Sequence, residues 1–247
     1  MKKYFLSFSI GFVVAGIAVF SIMRYQAARA GDVSAAGRLI DAREMVEKTL
    51  RAISLDITER LAAFAQEVAA DQQFSLRLIA ENNASAPEVA GMAGRFMKPM
   101  GFSMLAITDS AGVILSSGHF PASRGNRIQE KFALLSEEPR VVEDVVVDRK
   151  MLTLQARKTF TIADEFLFCA SGGMIVDEQF LGRIAPLPDV TVLLRQGVTI
   201  MGMQVKTISG IKNDSININD KAYPALEIPL AVSGDTPPTA LVVVLMK

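Results

Sequence analysis

The chain has 247 residues, half of them apolar, and its 26 lysines and arginines balance 26 aspartates and glutamates. That composition provides for a sizeable core and excludes a disordered chain, while zero net charge without a basic stripe or recognition motif excludes nucleic acid as a partner. A single histidine and a single cysteine exclude an intrachain disulfide and cysteine zinc clusters, so no catalytic residue, metal site or cofactor is expected and the chain reads as a non-enzyme.

The N-terminus carries the first element. Tyr4 to Met23 is free of charge, bounded by Lys2-Lys3 and Arg24; as a helix rising 1.5 Å per residue it spans roughly 30 Å, the thickness of a bilayer's hydrocarbon core. The competing reading is a cleaved signal peptide, with Ala28-Arg29-Ala30 as its processing site, but the apolar stretch is longer than such peptides use. Lys2 and Lys3 favour an N-terminus inside, a bias weakened by Arg24 and Arg29 on the other flank. The expectation is a single-pass anchor in the inner (cytoplasmic) membrane, with the rest of the chain extracytoplasmic.

From Ala35 to Glu81, apolar residues recur at Leu39, Val46, Leu50, Ile53, Ile57, Leu61, Phe64 and Val68, mostly three and four apart, with charges between them. This spacing predicts one long amphipathic helix. Its stripe is close to a heptad seam, so it pairs with a second copy, packs on the domain that follows, or does each along different portions. Residues 81–91, "ENNASAPEVAG", break the pattern, and a short helix is expected around Val89 to Met97.

At Phe102 the period becomes strand-like. Phe102–Thr108 and Val113–Ser117 flank Asp109-Ser110-Ala111-Gly112, whose aspartate and glycine have the chemistry of a tight reversal, so this is a β-hairpin. "SSGHFPASRGNR" follows as a polar loop carrying His119, Arg124 and Arg127. A short helix over Ile128–Leu135 and strands over Val141–Val147, Met151–Thr161 and Glu165–Ser171 come next. Gly172-Gly173 reads as a strand-to-helix turn before a helix over Val176–Ile184. Three further strand-like runs separated by Gly, Asn, Asp and Pro complete the chain.

Candidate binding residues follow from this layout. His119 reads as a solvent-exposed loop histidine or, because its ordinary pKa near 6.5 lets small changes switch its charge, as a ligand contact or a pH-sensitive group. Arg124 and Arg127 are either ordinary loop charges or, by their planar forks, a clamp for a carboxylate. Strand alternation places Gln155 and Arg157 on one face, with Met151 and Thr153, and Leu152, Leu154 and Ala156 on the other. Cys169 reads as a small buried strand residue and Asp177 as a structural residue at a helix start.

The charge-free anchor, the long helix leaving it, the hairpin "LAITDSAGVILSSGHFP" and the later "FLFCASGGMIVDEQFLGRI" together resemble the Cache family, PAS-like extracytoplasmic sensor domains of bacterial membrane receptors such as sensor histidine kinases. In that family a strand, Asp-x-x-Gly, a second strand and a polar Gly/Pro loop follow one another, as Asp109 to Pro121 do here. The resemblance implies an α+β fold: an N-terminal transmembrane helix, a long amphipathic helix, a PAS-like antiparallel sheet with short helices, and room for a second, smaller sheet. It also implies a small-molecule ligand between sheet and loops, with His119, Arg124, Arg127, Gln155 and Arg157 as its contacts, and a homodimer through the long helix. The corresponding division is anchor 1–31, signalling helix 32–88, PAS-like sheet 89–175, and 176–247 as a sheet extension or second PAS-like subdomain. No output module follows within the chain, which reads as the sensory portion of a longer receptor or as a unit acting through a partner. The rival reading is a membrane-anchored assembly protein that holds a protein partner through the same helix.

Overall fold

The computed structural model describes residues 35–128, 138–146, 149–197, 199–201, 208–212, 215–232 and 237–246. The anchor expected over Tyr4–Met23, and all but Ile128 of the helix expected at 128–135, lie outside the described residues. No helix among the described residues is long and apolar enough to cross a membrane.

Helix α1 (Ala35–Ala70) buries Val46, Ile57, Leu61, Phe64 and Val68 in the main core, so the stripe read as a seam is consumed by the chain's own sheet packing. The helix does not run on to Glu81. Asp71 leaves the helical conformation and its carboxylate accepts from the Phe74 amide, capping α2 (Gln72–Ser75), and a π-turn over Leu76–Ala80 closes the segment. Proline starts α3 (Pro87–Ala90) and Gly91 separates it from α4 (Met92–Met97), so the single helix expected near Val89–Met97 is two short ones.

The first sheet is antiparallel, with strand order β2-β1-β5-β4-β3. Its members are β1 (Met104–Asp109), β2 (Ile114–Ser117), β3 (Arg140–Val146), β4 (Arg149–Ile162) and β5 (Phe166–Ile175). The β1–β2 reversal works as its residues suggest: Asp109 Oδ1 accepts from the amides of Ala111 at 2.9 Å and Val113 at 2.8 Å, and Gly112 has φ +80°. Between β4 and β5, residues 163–165 reverse the chain, with Ala163 and Asp164 both at left-handed φ and the Glu165 amide donating to the Ile162 carbonyl at 3.3 Å.

Gly172-Gly173 is not a turn, because β5 runs through both to Ile175. A Cβ on Gly172 would lie 2.9 Å from Leu61 Cδ1 of α1, and one on Gly173 would lie 2.9 Å from Gln155 Cα of β4. The glycines are there so that the helix can approach one face and β4 can lie close on the other, not to end the strand.

Helix α5 (Glu178–Ile184), capped by Asp177 accepting from the Phe180 amide at 2.8 Å, connects to a second antiparallel sheet. Its order is β7-β6-β11-β10-β9-β8, six strands among the described residues against five in the first, but shorter ones. The strands are β6 (Val190–Gln196), β7 (Thr199–Met201), β8 (Ile208–Lys212), β9 (Ser215–Ile218), β10 (Lys221–Pro229) and β11 (Thr239–Leu245). Every residue of β11, "TALVVVL", is buried, with Leu241 and Val243 in the main core and Val242 and Val244 in a second cluster on the other face. The sheets meet at the β3 edge, where the Val141 amide donates to the Ala231 carbonyl at 2.8 Å.

Candidate functional site

The first sheet has two chemically different faces. Leu105 and Ile107 of β1, Ala170 of β5, and Leu154 and Ala156 of β4 join α1 in the apolar core. Alternation turns Met104, Ala106 and Thr108, Cys169, Ser171 and Gly173, and Thr153, Gln155 and Arg157 the other way. Register keeps them in rows: Met104 pairs Gly173, which pairs Gln155, and Ala106 pairs Ser171, which pairs Arg157.

A cavity of about 190 Å³ lies on this second face. Met104 and Ala106 of β1, Ile114 of β2, and Asp144 and Val145 of β3 line it from the sheet; His119, Phe120, Ser123, Asn126 and Ile128 line it from the loop after β2. The loop is held by short bonds: Ser117 Oγ accepts from the Phe120 amide at 3.1 Å, and Ser123 Oγ donates to the Phe120 carbonyl at 2.7 Å.

His119 turns its Nδ1 to both polar groups of Leu105, 3.3 Å from the amide nitrogen and 3.2 Å from the carbonyl oxygen. Neutral, with its proton on Nε2, the ring accepts from the amide; protonated, it donates to a carbonyl that already accepts from the Gly118 amide at 2.9 Å. Burial pushes its pKa down, opposed by the nearby Asp144 carboxylate and the Leu105 carbonyl.

Gln155 is completely buried and stands one hydrogen bond behind the cavity. Its Nε2 donates to Asp144 Oδ2 at 2.9 Å and to Thr153 Oγ1 at 2.6 Å, while Thr153 Oγ1 donates to the Val142 carbonyl at 3.0 Å. Asp144 Oδ1 accepts from the Val145 amide at 2.7 Å. Gln155 Oε1 and the Ser171 hydroxyl, both buried on this face, have no partner among the described residues.

The other expected contacts lie elsewhere. Arg124 is exposed in the loop and does not line the cavity. Arg127 is exposed too, and its Nε donates to the Ala111 carbonyl at 2.9 Å, tying the loop to the β1–β2 turn. Arg157 donates from Nε to Cys169 Sγ at 2.7 Å; burial nevertheless pushes the thiol pKa up, so Cys169 is a packed strand residue rather than a nucleophile. Asp144 was missed by sequence reasoning. Its one signal is the adjacent carboxylates Glu143 and Asp144 inside an otherwise apolar run, "VVEDVVV".

In sequence the chain matches no known family profile and no curated protein. In structure it is similar to the periplasmic domain of LuxQ from Vibrio cholerae, at 11% identity and a TM-score of 0.54 over 85% of this chain and 98% of that one. It is also similar to the sensor domain of the V. cholerae histidine kinase DctB, at 8% identity and a TM-score of 0.53 over 85% and 97%. A third likeness is the ligand-binding domain of the Pseudomonas fluorescens chemoreceptor CtaA in complex with L-alanine, at 12% identity and a TM-score of 0.50 over 83% and 94%. The fold is therefore that of the sensor domains of histidine kinases and chemoreceptors, as the resemblance to Cache domains implies.

Proposed function

We propose that this protein is an extracytoplasmic sensory domain, anchored in the inner membrane by Tyr4–Met23, that binds a small ligand over its first sheet and signals through α1. One observation carries the reading. Successive residues of β1 alternate between the cavity, at Met104 and Ala106, and the core under α1, at Leu105 and Ile107. Occupancy of the cavity thus acts on the strand against which the helix packs. A ligand shifts the helix only by its differential affinity for two arrangements, and a hundredfold preference corresponds to about 2.8 kcal/mol.

In this reading His119 acts directly and Gln155 acts by holding Asp144, while Arg127 ties the loop to the β1–β2 turn, Arg157 bonds Cys169 and Arg124 stays outside the cavity. The domain works as a homodimer through the exposed face of α1, where Ile40 is 51% and Leu55 59% accessible. Segment 176–247 is a second sheet unit that shares the first sheet's core.

The test is thermal unfolding of the full chain in detergent micelles against panels of small carboxylates, amino acids, amines and nucleobases, since a ligand selective for the folded state raises the midpoint by mass action. The expected result is a rise of several degrees for one chemical class, lost in His119→Ala. A flat panel together with a protein that co-purifies in fixed ratio would replace this reading with the assembly one.

A further inference from the structure

The cavity's polar groups select a charge for the ligand. Asp144 is the one carboxylate among its lining residues, and no lysine or arginine lines it among the described residues. The two loop arginines that a ligand carboxylate would need are exposed outside it, with Arg127 Nε committed to the Ala111 carbonyl. His119 adds no compensating positive charge near neutral pH, because burial holds its pKa below the ordinary imidazole range. An anionic ligand would set its charge beside Asp144 with no lining cation among the described residues to offset it.

A second, independent observation points the same way. Gln155 is fully buried on this face and directs its donor, Nε2, to Asp144 and Thr153, which leaves the acceptor Oε1 without a partner among the described residues. Asp144 has used one acceptor position on each oxygen, for the Val145 amide and for Gln155, and a carboxylate offers about four. The cavity's polar end and the layer behind it therefore hold spare acceptors, while Met104, Ile114 and Val145 give apolar walls. Asp144 is half-buried, and a carboxylate partly removed from water attracts a cation more strongly than one in bulk solvent. A cavity of about 190 Å³ lies below the roughly 300–1,000 Å³ of drug-sized ligand pockets, so the ligand is small.

We propose that the cavity binds a small organic monocation, a primary amine or amidinium on a short apolar chain, whose N–H donors meet Asp144 and which needs no carboxylate of its own. This rests on the sensory reading and gives it a ligand class.

The experiment compares butylamine, butyrate and 4-aminobutyrate as stabilisers of the full chain in detergent micelles at matched ionic strength. Butylamine is expected to raise the unfolding midpoint and butyrate to leave it unchanged. Asp144→Asn is expected to weaken the butylamine response at least tenfold in half-saturating concentration. Because Asp144 also accepts two internal bonds, a second variant guards against misfolding: Asn126→Lys places an ammonium on the exposed rim and is expected to weaken butylamine while leaving the ligand-free midpoint unchanged. Stabilisation by butyrate, or by 4-aminobutyrate without butylamine, would overturn the monocation and leave the sensor reading standing. Stabilisation by nucleobases alone would do the same. No stabilisation by these probes or by any of the wider panels would overturn both.

Discussion

At the residue scale, His119 links the cavity to the stability of the fold. Its folded-state pKa lies below the ordinary value near 6.5, burial being the larger cause and Asp144 and the Leu105 carbonyl opposing it. Between the folded and unfolded values the unfolded chain binds more protons, so stability rises with pH through that window. The contribution of a neutral His119 is fully present above the unfolded value and is lost as pH falls below it. Urea unfolding at pH 7.5 and pH 5.0 is expected to show a loss in the wild type that is smaller in His119→Gln, since glutamine keeps a hydrogen-bonding group but does not titrate. Equal losses in the two proteins would place the acid sensitivity in other groups. His119 stood out in the sequence as a candidate and Asp144 did not. A lone histidine in a Gly/Pro loop announces itself, whereas an aspartate in a strand is informative only once the strand's register shows which side chains it faces.

At the scale of elements, the two adjacent glycines of β5 give a graded prediction. A Cβ on Gly172 meets the far ends of side chains, Leu61 Cδ1 at 2.9 Å and Leu105 Cδ1 at 3.1 Å, which can shift by changing rotamer. A Cβ on Gly173 meets the backbone of β4, the Leu154 carbonyl and Gln155 Cα, which cannot move without breaking the β4–β5 ladder. Gly173→Ala is therefore expected to lower the urea midpoint more than Gly172→Ala, with overpacking costs on the order of 1–3 kcal/mol. It should also disturb Gln155 and with it any ligand that depends on Asp144. If Gly172→Ala were the more destabilising, the close approach of α1 would be the tighter constraint. This pair also shows where sequence reasoning reached its limit. The hairpin at Asp109–Gly112 was legible because its chemistry is local, an aspartate bonding amides two and four residues on. Gly172-Gly173 was misread as a turn because the reason for those glycines lies in β4 and α1, distant in sequence. The break after Ala70 was hidden in a similar way: residues 72–80 keep an apolar content that suits a helix, and only the Asp71 side chain's bond to Phe74 shows that a new helix starts there.

At the scale of the whole molecule, the fate of the α1 stripe decides how two copies can meet. Val46, Ile57, Leu61, Phe64 and Val68 are buried against the first sheet, and that core continues to Val192, Ile228 and Leu241 of the second. These residues are unavailable to a partner, so a dimer through α1 must use the opposite face, which carries Ile40, Leu55 and charged neighbours such as Lys48, Arg51 and Glu59. In a symmetric parallel pair a residue near the twofold axis meets its own copy, and Leu55 at 59% accessibility is the large apolar residue placed to do so. Leu55→Asp would bring two carboxylates together there, at a site where the isolated chain has only water. Sedimentation of the full chain in detergent is therefore expected to show dimers for the wild type and monomers for Leu55→Asp, with the unfolding midpoint of the monomer little changed. Leu61→Ala is the internal contrast: it removes a fully buried side chain and is expected to cost about 2–5 kcal/mol without changing assembly. If Leu55→Asp sedimented like the wild type, the exposed face of α1 would not be the dimer contact, and the helix would transmit its shift along the chain alone.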